Sequence, residues 1–261
     1  MPGYWRCPDS QYKGLVARCA PGTHEAVCAV LARHPDVRGS VLDLAAGSGA
    51  LLARLRDSGF VDLSAVELDA PAFGLAGIAP LAIDLNTDFA AAFSRQFNLI
   101  TAVEIMEHLD SPRHFLREIW KLLEPRGHLL VSTPNVAHWM GRLWFLARGE
   151  LRYFKESDYQ SCRHISPINR THMRLMLTEI GFRVIDFTTA GSFYGPLKRL
   201  LTAPVAGLFR LMNGPQTGGD TVIFLAQKTS PDTTSPGRSS TTYIARDRAM
   251  IDQGGKRPAV E

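Results

Sequence analysis

Short apolar runs alternate along this chain with stretches of helical, amphipathic spacing, and that alternation limits the possible folds more than any other feature. The runs are Val41–Ala46, Leu63–Leu68, Leu81–Asp84, Asn98–Ile105, His128–Ser132, Arg183–Thr188 and Thr221–Gln227. Helical spacing covers Thr23–His34, Ala50–Ser58, Pro112–Leu123 and Thr171–Ile180. Apolar runs of this length read as strands, and their alternation with helices predicts a doubly wound α/β fold. The expected sheet is mostly parallel, of about seven strands, with helices on both faces. Gly59, Gly127 and Gly181 follow helical stretches, where a left-handed residue ends a helix. Thr23 is the expected N-cap of the first helix.

Composition excludes several classes. With 45% apolar and 21% charged residues over 261 positions, the chain is neither wholly disordered nor fibrous. It contains no run of ~18 apolar residues that would span a membrane. The opening MPGYWRCPDSQYKG lacks the apolar stretch of a secretory signal, so a cytoplasmic location is expected. The net charge of +4, from 29 basic and 25 acidic residues, is too mild to signal nucleic-acid binding. Cys7, Cys19, Cys28 and Cys162 form no CxxC pair, which fits free thiols rather than a disulfide framework or a zinc finger. Residues 1–22 are expected to be an N-terminal extension and 23–228 the folded domain. Residues 229–261, poor in large apolar side chains, are read as a disordered tail with a short helical turn near Ile244–Ile251.

The chemistry begins at Val41–Leu52, VLDLAAGSGALL: a buried strand, an acid, a turn of tiny residues and the start of a helix. Small residues let a ligand approach the backbone, and a helix N-terminus offers N–H donors. Some twenty residues on, LSAVEL ends in Glu67, placed to accept both hydroxyls of a ribose. AIDLN places Asp84 at the end of the next run, where a carboxylate can recognise adenine. Asp43, Glu67 and Asp84 at successive strand ends point to an adenosine-bearing ligand. A nicotinamide dehydrogenase is the rival, but the turn contains no GxGxxG.

Over about residues 24–228 the chain resembles the class I methyltransferases that use S-adenosylmethionine. VLDLAAGSG resembles that family's first motif, with Ala45 where its first Gly is common; AVELD resembles the ribose motif and AIDLN the adenine motif. FNLITAVEIMEHL and LLEPRGHLLVSTPN resemble the fourth- and fifth-strand motifs. The resemblance implies methyl transfer and an antiparallel final pair of strands. It also implies a cofactor set of Asp43, Ala45, Gly47, Ser48, Gly49, Glu67, Asp84, Leu85 and Glu104. A non-catalytic accessory protein of the methionine-pathway type, with similar motifs, is the competing reading.

Glu104, Glu107 and His108 stand at i, i+3 and i+4, which puts them on one face if the chain is helical there. With His164 they would offer carboxylate oxygens and imidazoles, a set that suits Mg²⁺ or Mn²⁺. EIMEH with a distant His resembles both the small-RNA 2′-O-methyltransferases and the ubiquinone-pathway O-methyltransferases. The resemblance implies that Glu104, Glu107, His108 and His164 hold a divalent ion that lowers the pKa of an acceptor oxygen. In the metal-free alternative Glu107 and His108 orient the substrate, and His108 or His164 is the general base.

Residues 135–170 interleave Trp139, Trp144, Phe145, Tyr153, Phe154 and Tyr159 with Arg142, Arg148, Arg152, Lys155 and Arg163, as a helical cap over the acceptor would. Their pattern resembles bacterial methyltransferases of sugar and cell-envelope pathways. The expected acceptor is a small or lipid-linked molecule, a glycan or nucleotide sugar first and a quinone-like phenol next. Residues 191–215 form an amphipathic insertion. It reads either as a helical cap packed on the sheet edge or, through 193–212, as a peripheral contact with a membrane surface.

Overall fold

The computed structural model describes residues 10–229; the expected tail, its helical turn at 244–251 and Cys7 lie outside the described residues. A small antiparallel pair, β1 (Gln11–Tyr12) and β2 (Leu15–Val16), precedes the first helix, α1 (Thr23–Arg33). Then β3 (Val41–Leu44), α2 (Ala50–Asp57), β4 (Leu63–Val66), β5 (Phe97–Ala102), α3 (Pro112–Leu122) and β6 (Leu123–Pro134) follow in order. Two short helices, α4 (Trp139–Arg148) and α5 (Glu156–Cys162), lead into α6 (Arg170–Ile180) and β7 (Phe182–Ala190). The chain closes with α7 (Pro196–Asn213) and β8 (Thr221–Lys228).

The central sheet has six strands in the order β4-β3-β5-β6-β8-β7. Strands β4, β3, β5 and β6 are parallel, whereas β8 runs antiparallel to both β6 and β7. The chain leaves β3 toward one edge and returns on its other side with β5. That reversal is the switch point at which ligands bind in open α/β sheets.

Alternation along the strands sends neighbouring residues to opposite faces. Leu42, Leu44, Ile100, Leu129 and Phe224 pack on Phe115, Leu116 and Ile119 of α3 and on Met173 and Leu177 of α6. Val41, Leu99, Leu130, Ile223 and Leu225 pack with Val27, Val30 and Leu31 of α1 and with Leu51, Leu52 and Leu55 of α2. Two apolar layers therefore clamp the sheet. Ser111 and Asn169 cap α3 and α6 by accepting from the backbone N–H groups of His114 and His172.

Four expectations are corrected. The sheet has six strands, not about seven, because Leu81–Asp84 forms no strand. Only Leu81 reaches the ladder, as a lone bridge to Val66. Pro80 precedes it, and Asp84 closes a local turn by accepting from the Asn86 N–H at 2.9 Å. Thr23 is not a cap; Gly22, at φ 91°, takes that position, and the Thr23 hydroxyl lies buried, 3.4 Å from the hydroxyl of Thr221. Gly127 ends no helix: α3 runs directly into β6, and it is Arg126 that takes a positive φ of 65°. The insertion is not a cap packed into the sheet edge, since α7 buries none of its residues.

Candidate active site

One cleft of about 620 Å³ opens at the carboxyl edge of the parallel strands, within the usual ~300–1,000 Å³ of a small-molecule site. One end is lined by Ala45, Gly47, Glu67 and the Val16–Ala20 segment; the other by Glu107, His108, Tyr153, His164, Phe193 and Asp220.

The first end is built by the turn after β3. Ala45, Gly47 and Gly49 take positive φ of 59°, 57° and 85°. Ala45 therefore adopts a conformation natural to glycine, at a cost on the order of 1–2 kcal/mol. No heavy atom lies within 4 Å of a Cβ built on Gly47, so the loop presents bare backbone to open space, whereas Gly49 is closely packed on Leu75 and Phe73. The Gly47 N–H donates to Glu67 Oε2 at 2.6 Å, and the Asp69 N–H to Glu67 Oε1 at 3.0 Å. The acid one residue past β4 is thus fixed against the turn, with its carboxylate at the cleft wall.

Other members of the expected cofactor set stand elsewhere. Asp43 lies inside β3, fully buried, and accepts from the Thr101 hydroxyl at 2.6 Å; burial pushes its carboxyl up to about 7. Asp84 is exposed in its turn and Leu85 is buried in the core. Ser48 turns its hydroxyl to the Val16 carbonyl at 2.8 Å. None of these, nor Gly49, lines the cleft.

The second end forms around Met106–His108, a single turn of 3₁₀ helix. Glu104 precedes it at φ 52°, a strained conformation of the kind that collects at functional sites. That turn of the backbone sends its carboxylate to the Ser132 hydroxyl at 2.9 Å, and burial raises it to about 7. The expected helical face does not form, because only Met106–His108 is helical, yet Glu104, Glu107 and His108 all line the same cleft. The groups brought together are Glu107, His108 and His164, whose ligand atoms all lie within 4.8 Å of one another.

Glu107 has 1% of its side chain exposed and accepts from the Thr133 hydroxyl at 3.0 Å. Burial first, and the Glu104 carboxylate second, hold it well above the usual carboxylate range. Its backbone oxygen accepts from the N–H groups of Ile165 and Ser166 at 2.8 and 3.0 Å, which stitches His164 to the distant turn. The rings of His108 and His164 meet edge to face at 4.8 Å. Burial lowers both imidazoles below their ordinary value, so both are neutral at pH 7. His164 Nδ1 lies 2.7 Å from the Tyr153 carbonyl oxygen, which sets the proton on Nδ1 and turns Nε2 outward from that bond.

Sequence reasoning missed the support beneath this end. The Asp220 carboxylate, at the mouth of β8, accepts from the Tyr153 hydroxyl at 2.5 Å, from Arg152 at 3.0 Å and from the Phe193 N–H at 2.8 Å. Tyr153 itself has a positive φ of 73°. The family model described as "Methyltransferase domain" matches residues 16–186.

The chain belongs to this methyltransferase family.

The ubiquinone biosynthesis O-methyltransferase of Acinetobacter baylyi is 26% identical over 170 residues, covering 61% of this chain and 68% of that protein. That of Pectobacterium atrosepticum is 27% identical over 103 residues, 36% of this chain and 42% of its own length. The chain thus spans about two fifths of the first curated relatives it matches. A SAM-dependent methyltransferase from Archaeoglobus fulgidus shares the fold, with TM-score 0.53 and 17% identity over 79% of this chain and 95% of that one.

Proposed function

We propose that this methyltransferase methylates a hydroxyl oxygen of a small or lipid-linked acceptor, with a ring phenol as the favoured class. The observation that carries the reading is that one shared cleft is lined by Gly47 and Glu67 and also by Glu107, His108 and His164. The names of the curated relatives and the aromatic walls Tyr153 and Phe193 support a ring acceptor over a glycan.

The cradle fits an adenosyl donor: bare backbone at Gly47 beside a fixed carboxylate. In this reading Glu67 accepts the ribose hydroxyls and the Ala45–Gly49 turn admits the ligand to the backbone. S-adenosylmethionine supplies an electrophilic sulfonium methyl. His164 Nε2 takes the acceptor's hydroxyl proton as the new O–C bond forms, the S–C bond breaks and its electron pair stays on sulfur. His108 and Glu107 hold the acceptor in line, where alignment provides much of the acceleration.

Glu107, His108 and His164 also fit a divalent cation: one carboxylate and two imidazoles, with His164 and Glu107 oriented by Tyr153 and Thr133. With an ion bound, these three would hold it, and it would lower the acceptor's pKa.

The test is incubation of the full chain with labelled methyl donor and fractionated cell extract, with and without chelator. Label in an aromatic, organic-soluble fraction, lost in Glu107→Ala and in His164→Ala, supports the reading; loss of label with chelator assigns the ion. Donor binding with no label transferred to any fraction supports the accessory-protein reading instead.

A further inference from the structure

The geometry points to α7, with its neighbour α4, as a docking surface for an anionic lipid bilayer. Leu197, Leu200, Leu201, Val205, Leu208, Leu211 and Met212 are all exposed, Leu201 at 72% and Leu211 at 84%. At 100° per residue they fall within one arc of about 140°. The half-buried residues of the same helix, Thr202, Ala206, Phe209 and Asn213, lie on the other side. The helix therefore turns its apolar stripe away from the protein, the reverse of a helix that serves a core.

Two contacts tie α7 to α4: the rings of Trp139 and Phe209 at 6.4 Å, and Arg142 donating to Asn213 at 2.7 Å. Helix α4 exposes Phe145 and, at 84%, Leu146. Neither helix contains an Asp or Glu, whereas they carry Arg142, Arg148, Lys198, Arg199 and Arg210. On the same wheel Lys198 borders the apolar arc, whereas Arg199 and Arg210 stand behind it; an exposed apolar stripe on two helices that carry five cations and no acid matches acyl chains beneath anionic headgroups. No helix among the described residues is long and apolar enough to cross a membrane, so the contact lies in the interface plane. Phe193, which lines the cleft, stands three residues before α7 begins at Pro196. A bilayer on this face would lie beside the acceptor end of the cleft.

The inference stands on α7 and α4 and does not require the proposed acceptor. Its test is flotation of the full chain with vesicles of phosphatidylcholine and phosphatidylglycerol, against vesicles of phosphatidylcholine alone, without donor or acceptor. The chain is expected to float with the anionic vesicles and to float far less with the neutral ones. Lys198→Ala should lower partitioning about fivefold, and Arg199→Ala or Arg210→Ala, behind the stripe, by less. Leu201→Glu with Leu211→Glu should abolish it while the circular dichroism spectrum and Tm stay unchanged, since both side chains are exposed. Absence of flotation with anionic vesicles, equal flotation with neutral ones, or flotation untouched by the two Glu substitutions would each overturn the inference. So would a dimer in sedimentation that the Glu substitutions dissolve, in a chain that does not float.

Discussion

The carbonyl oxygen of Tyr153 lies 2.7 Å from His164 Nδ1, while the hydroxyl of the same tyrosine donates to Asp220 at 2.5 Å. One residue thus ties a buried carboxylate to the orientation of an imidazole in the cleft. Its backbone takes a positive φ of 73°, a conformation of the kind that collects at functional sites. Tyr153→Phe removes only the hydroxyl. Asp220 keeps Arg152 and the Phe193 N–H, so the fold should hold. We expect kcat to fall about tenfold, in line with one lost charge-assisted hydrogen bond. The acid limb of the pH profile should move, and the Kd for S-adenosylhomocysteine should not. An unchanged pH profile would remove Tyr153 from the positioning of His164.

His108 and His164 are both held below the ordinary imidazole value, chiefly by burial. Their base forms therefore persist to lower pH than a free histidine's. Methyl transfer should stay level from pH 8 through about 6.5 and decline only below it. Half the activity lost above that value, in a pH series corrected for stability, would contradict the neutral-imidazole assignment.

Asp43 has its folded-state pKa raised to about 7 by burial. The folded chain keeps that proton where the unfolded chain has released it, so its contribution is present at low pH and is lost as pH rises toward 7. His24 and His138, lowered to about 4 by burial, act the other way: stability falls as pH drops from about 6.5 toward 4. Asp43→Asn keeps an acceptor for the Thr101 hydroxyl and removes the buried charge. Denaturant melts should show the variant more stable at pH 8, on the order of 2–4 kcal/mol, with the gain vanishing below pH 4. An equal gain at both pH values would mean that Asp43 does not titrate as described.

Gly47 and Gly49 should separate binding from stability. A Cβ on Gly49 would meet the Leu75 Cβ at 2.7 Å, at φ 85°, so Gly49→Ala should cost about 1–3 kcal/mol and lower Tm by several degrees. Gly47→Ala meets no atom. It should change Tm little beyond the modest strain of a positive φ, yet weaken donor binding at least tenfold by filling the open face of the turn. Titration calorimetry and thermal melts on the two variants check this. Equal loss of affinity and stability in both would count against Gly47 as a ligand contact.

Much of the fold was legible in the sequence because strands buried on both faces and amphipathic helices leave strong, local patterns. Leu81–Asp84 misled because apolar residues beside an edge strand look like a strand until Pro80 and the Asp84 turn are weighed. In the site, Glu67 was legible from its distance to the glycine turn, and Glu107 with His108 from their adjacency after β5. Glu104 lines the cleft as its place after β5 suggested, but no helix carries it there, since spacing shows no sign of a positive φ. Asp220 was missed, although β8 was expected to be antiparallel. The start of an antiparallel strand falls at the carboxyl edge of its parallel neighbours, so an acid just before Thr221 was placed there by topology. Tyr153 was legible as an aromatic of the expected acceptor cap, but its hold on His164 was not, since that bond uses its backbone oxygen.

The central claim is that Glu67 and the Gly47 turn hold an adenosyl donor with its sulfur toward the two imidazoles. A crystal structure of the chain soaked with S-adenosylhomocysteine tests it most directly. The expected result is ribose hydroxyls on the Glu67 carboxylate and the sulfur directed to the end of the cleft that holds His108 and His164. A ligand bound with its ribose away from Glu67, or a cleft that stays empty at saturating ligand, would contradict it.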